Sequence, residues 1–237
     1  MEPSHFPQQP PLIARLQYIT QDLERKGHLE LLKEAVDAGC DWVQLRVKNR
    51  PENEVMDMAV KARKICCDSG ARLIINDFPH VALAVDADGV HLGRKDMTTA
   101  QARDLLGEGY LVGGSANTIQ DIERLYAEGV DYIGLGPFRF TETKKGLDPV
   151  LGLEGYRRIL IQCKLKGLER IPILAIGGIL MTDIRDLLHT GLHGVAISNM
   201  ISRSPRKNQL VMDIHQMMNE FSKSFRYGTA QDRRKDL

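Results

Sequence analysis

Short apolar runs alternate with longer amphipathic stretches along most of the chain. LQYIT from Leu16, DWVQLR from Asp41, RLIIND from Arg72 and GVHLG from Gly89 have the length and β-branched content of strands. The series continues with LVGGS from Leu111, YIGLGP from Tyr132, PILAIGG from Pro172 and GVAIS from Gly194. Between them, segments such as LELLKEAVDAGC, NEVMDMAVKARKICCDSG and TIQDIERLYAEGV place apolar residues at helical spacing, and a glycine usually follows. Strand then helix, repeated eight times, predicts an α/β fold built as a single (β/α)8 TIM barrel. The barrel is expected over residues 16–219, with a flexible proline-rich extension over 1–15. The charged tail over 220–237 has little apolar periodicity and is expected to lack regular structure.

Side-chain alternation along each strand then sorts the polar positions. In VQLRVK the apolar members Val43, Leu45 and Val47 suit the helix-facing side, so Gln44, Arg46 and Lys48 project toward the barrel interior or its upper rim. Such a row needs an anionic or hydrogen-bonding partner, either a ligand or barrel carboxylates. The same alternation turns Asn76 and His91 inward. It sets Asp77 and Asp96 at or just past the ends of neighbouring strands. Two carboxylates held together repel unless a cation intervenes, and oxygen-only ligation suits Mg2+ on a diphosphate; alternatively Asp77 caps a loop and Asp96 caps the next helix. His91 alone suits a packed, hydrogen-bonded interior histidine. In the second half the expected inward positions are small: Gly113, Ser115, Gly134, Gly136, Ala175, Gly177, Ala196 and Ser198. They leave room for a ligand, and the backbone of AIGGI and AISNM can approach a phosphate closely.

Composition adds limits rather than direction. The 237 residues are 43% apolar and 27% charged, enough for one sizeable core, and the net charge of +1 argues against an extended nucleic-acid face. Cys40, Cys66, Cys67 and Cys163 match neither zinc-ligand nor CxxC spacing and read as reduced structural thiols. The N-terminus lacks the apolar core of a signal peptide and no run is long enough to span a bilayer, so a cytoplasmic protein without membrane or nucleic-acid partners is expected.

The motifs QLRVK at Gln44 to Lys48, IND at Ile75 to Asp77, DGVHLGRKDM at Asp88 to Met97 and GGS ending at Ser115 occur in one order. DYIGLGPF, TETKK at Thr141 to Lys145, GLEGYRRI, AIGGI and AIS follow. In that order they resemble the thiamine phosphate synthase family, from near Tyr18 to Ile201. The resemblance implies an enzyme, a transferase of thiamine biosynthesis that joins a hydroxymethylpyrimidine diphosphate to a thiazole phosphate, or its carboxylated form, and releases diphosphate with magnesium. It implies that Gln44, Leu45, Arg46, Val47, Lys48, Asn76, Ser115 and Lys144 bind the pyrimidine diphosphate, and that Asp77 and Asp96 hold Mg2+. Thr141, Glu142, Thr143, the Gly177 and Gly178 turn, Ile197 and Ser198 would contact the thiazole phosphate. Arg46, Lys48, Lys144 and Ser115 would carry the catalytic work of stabilising the departing diphosphate. The Thr141 to Lys145 loop would close over the mouth.

The chain departs from the family pattern in two places. Arg94 and Lys95 precede Asp96 where members often have Gln-Glu, and Asn117 stands where they often have histidine. The alternatives are the aromatising isomerase that shares this barrel and a non-catalytic barrel that binds thiamine precursors. Small-molecule substrates are the expected partners, and homo-oligomer formation is left open.

Overall fold

The computed structural model describes residues 13–140 and 148–232. Eight parallel strands close into a barrel in chain order, each hydrogen-bonded to its sequence neighbours and β1 to β8. The strands are β1 (Leu16–Ile19), β2 (Trp42–Leu45), β3 (Arg72–Asn76), β4 (Gly89–Leu92), β5 (Leu111–Ala116), β6 (Tyr132–Leu135), β7 (Ile173–Ile176) and β8 (Gly194–Ile197). The crossover helices are α1 (His28–Asp37), α2 (Glu52–Ser69), α3 (Pro79–Ala84), α4 (Thr99–Leu106), α5 (Ile119–Ala127), α6 (Gly152–Leu165) and α7 (Met181–His189). The short α8 (Asn199–Arg203) and the long α9 (Lys207–Asp232) complete the ring. All eight strands expected from the apolar runs form.

Two separate apolar layers follow from the period-2 alternation of the strands. Val43, Leu45, Val47, Leu73, Ile75, Val90, Val112 and Ile133 join one continuous core with the inner faces of the helices. Trp42, Ile74, Leu111, Tyr132, Leu174 and Ala196 fill the barrel interior, with Trp42 and Tyr132 packed edge to face at a centroid distance of 4.8 Å. Burying side chains of this size stabilises by roughly 1.5–3 kcal/mol each, so the interior is a packed plug below the mouth and not a pore.

Strand β7 corrects one expectation. Leu174 and Ile176 face the barrel interior, and Ala175 packs in the helix layer. PILAI is apolar throughout, as suits a strand covered on both faces, and such a run carries no alternation from which to read its phase. A second difference lies at the C-terminus: α9 continues through 220–232, where no regular structure was expected. Met218 is buried and Phe221 packs on the core, so the helix is anchored there and each further residue adds one backbone bond at small cost.

Candidate active site

The C-terminal ends of the strands collect the polar residues. Gln44 and Asn76 are 2% and 4% exposed, yet Asn76 Nδ2 has no hydrogen-bond partner and Gln44 Nε2 makes none of ordinary geometry, its amide only approaching the Tyr132 hydroxyl. Ser198 Oγ, just past β8, is also buried without one. An unmade bond on a buried amide costs about 1–3 kcal/mol, so groups left in this state at a barrel mouth are the mark of donors kept for a ligand.

The acidic pair is assembled as the alternation implied. Asp77 follows β3 and Asp96 lies in the loop after β4, and their carboxyl groups come within hydrogen-bonding reach of each other. Burial and then Asp77 push the Asp96 carboxyl above its ordinary range, while the Gly93 N–H, 2.7 Å away, and Lys48 pull it down. Lys48 is ion-paired with Asp77. Asp77 holds a left-handed backbone at φ 69°, a conformation that aspartate adopts at some cost and that aims its carboxylate at the mouth. The capping alternative for Asp96 is excluded, because Thr98 caps α4 in a reciprocal capping box with Gln101.

Arg46 lies beside this pair. Burial lowers its guanidinium pKa and Asp77 partly restores it. Its backbone N–H donates to Thr20 Oγ1 at 3.0 Å, and Thr20 in turn meets His28 Nδ1 at 2.9 Å. Neither Thr20 nor His28 stands out in the sequence, since a threonine ending a strand and a histidine starting a helix are ordinary residues. Leu45, Val47 and Ile197, grouped with the substrate contacts by resemblance, send their side chains into the helix layer. Only their backbone groups can serve a ligand.

On the other side of the mouth, Ser115 Oγ lies 3.0 Å from His91 Nε2. Gly177 turns at φ 88°, and a Cβ there would meet Pro137 Cβ at 2.7 Å, so the backbone after β7 lies directly against the loop after β6. Arg139 fixes that contact by donating to the Gly178 carbonyl at 2.6 Å and to both oxygens of Asp183 in α7. Thr141, Glu142, Thr143 and Lys144 fall outside the described residues, as does Lys145.

The two departures from the family pattern have structural roles. Asn117 donates from Nδ2 to the carbonyls of Gly136 and Pro149, both at 2.9 Å, which ties the two ends of the β6–α6 connection together. Arg94 ion-pairs with Asp148 and approaches Asp121 at 3.7 Å. Lys95 is exposed.

No cluster of three or more His, Cys, Asp or Glu side chains capable of holding a metal occurs among the described residues. Two adjacent carboxylates, one of them destabilised by the other, instead match Mg2+, which takes one or two carboxylates and completes its shell with water and phosphate oxygens.

Comparison with known proteins finds relatives over most of the chain. A family model described as thiamine monophosphate synthase matches residues 16–201. A thiamine-phosphate synthase of Bacteroides thetaiotaomicron is 47% identical over 192 residues, covering 81% of this chain and 91% of that protein. The thiamine-phosphate synthase of Bacteroides fragilis strain ATCC 25285 is 46% identical over 190 residues, covering 80% and 93%. Among solved structures, a thiamine phosphate pyrophosphorylase from Pyrococcus furiosus superposes with a TM-score of 0.74 at 30% identity, covering 87% of this chain and 96% of that one.

Proposed function

The chain belongs to the thiamine monophosphate synthase family, and from that premise we propose how its barrel mouth carries the thiamine-phosphate synthase reaction. The substrates are a hydroxymethylpyrimidine diphosphate and a thiazole phosphate, and the products are thiamine phosphate and diphosphate. The observation that carries the reading is the convergence of the Asp77 and Asp96 carboxyls, Lys48, Arg46 and the buried, under-satisfied amides of Gln44 and Asn76 at one end of the barrel.

Each group has a task that its chemistry suits. Gln44 and Asn76 present buried amides to an aminopyrimidine, whose ring offers complementary donors and acceptors. Arg46 and Lys48 supply fixed positive charge to the diphosphate as it leaves with its bonding electrons. The pyrimidine methylene is left electron-poor, the aminopyrimidine ring spreads that charge, and the thiazole nitrogen attacks the carbon. No protein nucleophile is required, so orientation and exclusion of water account for the protein's part. Asp77 and Asp96 would hold Mg2+, whose charge would neutralise diphosphate oxygens there. The backbone at Gly177 and Gly178, with Ser198 before α8, receives the thiazole phosphate; by the family resemblance Thr141 and Thr143 would serve that phosphate and Lys144 the diphosphate.

No helix among the described residues is long and apolar enough to cross a membrane. The test is release of inorganic diphosphate with both substrates, with each alone, and with magnesium chelated. Release that needs both substrates and the cation is expected. Release from either substrate alone, or undiminished turnover in chelator, would overturn the reading.

A further inference from the structure

A line of buried hydrogen bonds crosses the barrel interior beneath the site and ends on Ser115. Gln17 Nε2 donates to Tyr132 Oη at 3.3 Å, Tyr132 Oη lies 3.2 Å from His91 Nδ1, and His91 Nε2 lies 3.0 Å from Ser115 Oγ. Gln17, Tyr132 and His91 are 1%, 0% and 6% exposed. The line exists because two strand positions lack side chains: a Cβ on Gly113 would sit 2.2 Å from Tyr132 Cζ, and one on Gly134 would sit 3.2 Å from His91 Cε1.

The proton inventory of these groups gives the line a direction. An amide nitrogen can only donate, so Gln17 occupies a lone pair of Tyr132 Oη, and the Gln44 amide approaches the same oxygen as a second donor. The phenol's single hydrogen then has the imidazole nitrogen as its acceptor. With Nδ1 accepting, a neutral imidazole carries its proton on Nε2 and donates it to Ser115 Oγ. The serine's own hydrogen is thereby left for the mouth.

We propose that Tyr132 and His91 are positioning residues that hold His91 in its Nε2–H tautomer, so that Ser115 presents its O–H as a donor to an anionic group in the mouth. The opposite arrangement, Nδ1–H toward Tyr132, would draw the Ser115 hydrogen inward and turn a lone pair toward the anion. Burial pushes the Tyr132 phenol well above its ordinary value, so it remains a proton donor throughout the physiological range. That the anion is the diphosphate of the pyrimidine substrate rests on the function proposed above; the tautomer does not.

The experiment is 15N NMR of the full chain labelled at its histidines, with the His91 signals assigned by their loss in His91→Gln. One protonated-type and one unprotonated-type ring nitrogen, the proton on Nε2, is expected near pH 8. A proton on Nδ1, or on both nitrogens, overturns the proposal whatever the enzyme's substrates prove to be. Tyr132→Phe keeps the ring and removes the donor. In it the single tautomer should give way to a mixture, and the KM for the pyrimidine diphosphate should rise about fivefold, the value of one hydrogen bond. The KM for the thiazole phosphate should not change. An unaltered tautomer, or an equal rise for both substrates, would contradict the positioning role.

Discussion

Arg94 ion-pairs with Asp148, so the loop that carries Asp96 is joined to the stretch that leads into α6. Both partners are partly exposed, with side chains 44% and 20% accessible. An ion pair in such a setting contributes no more than about 1 kcal/mol to stability, and its larger effect is on geometry, because Asp96 lies only two residues along the loop. Arg94→Gln is expected to leave the unfolding midpoint nearly unchanged and to raise the magnesium concentration needed for half-maximal turnover by about tenfold, as for groups that orient metal ligands. The paired swap of Arg94→Asp with Asp148→Arg should recover most of that loss. A magnesium titration of the three proteins decides it, and an unchanged requirement in Arg94→Gln would exclude the coupling.

Asp96 is expected to trade stability for activity. Its carboxyl is raised by burial and by Asp77, so at neutral pH the folded protein holds a charge it disfavours. With a folded pKa above the unfolded one, this group's contribution weakens stability as pH rises through that range. Asp96→Asn removes the charge and retains the acceptor for the Gly93 N–H. Its melting temperature without magnesium should equal or exceed that of the parent, while turnover should fall by on the order of 10²–10³-fold. A variant that both melts lower and keeps its activity would show that Asp96 is a structural residue.

The barrel was legible in the sequence because every strand is short, apolar and set off by a helix with its own period. The phase of each strand was legible only where polar residues interrupted it. VQLRVK alternates, and Gln44 and the rim beyond it were placed correctly; PILAI does not, and Ala175 was turned the wrong way. Tyr132 escaped notice for a related reason. An aromatic residue inside an apolar run looks like core, and only the contacts of its hydroxyl, made to residues 115 and 41 positions away in Gln17 and His91, distinguish it. Asn117 shows the same limit, since its amide closes a loop through Pro149, 32 residues further on. No local pattern encodes such a bond.

Two histidines outside the proposed chemistry, the buried His28 and the half-buried His193, are expected to make folding depend on pH. His28 packs between Thr20 Oγ1 at 2.9 Å and Asp22 at 3.4 Å, and His193 Nε2 meets the Ile13 carbonyl at 2.8 Å. Burial lowers both pKa values below the ordinary 6.5; Asp22 for His28, and the Ile13 carbonyl for His193, oppose the effect without cancelling it. A histidine whose folded pKa is depressed binds its proton more readily in the unfolded chain. Unfolding therefore takes up protons below about pH 6.5, and stability, complete above that value, declines as pH falls. The slope is at most about 1.4 kcal/mol per pH unit for each histidine. Urea unfolding between about pH 5 and pH 8 should show this decline well above the acid range in which paired carboxylates lose their charge, such as Asp183, where burial is outweighed by Arg139 and the Leu180 N–H and the pKa falls below the ordinary value. His28→Gln and His193→Gln should each flatten the curve, with additive effects, because the two sites share no partner. Stability that stays level between pH 7 and pH 5 in the parent protein would mean that both histidines take up protons as easily folded as unfolded.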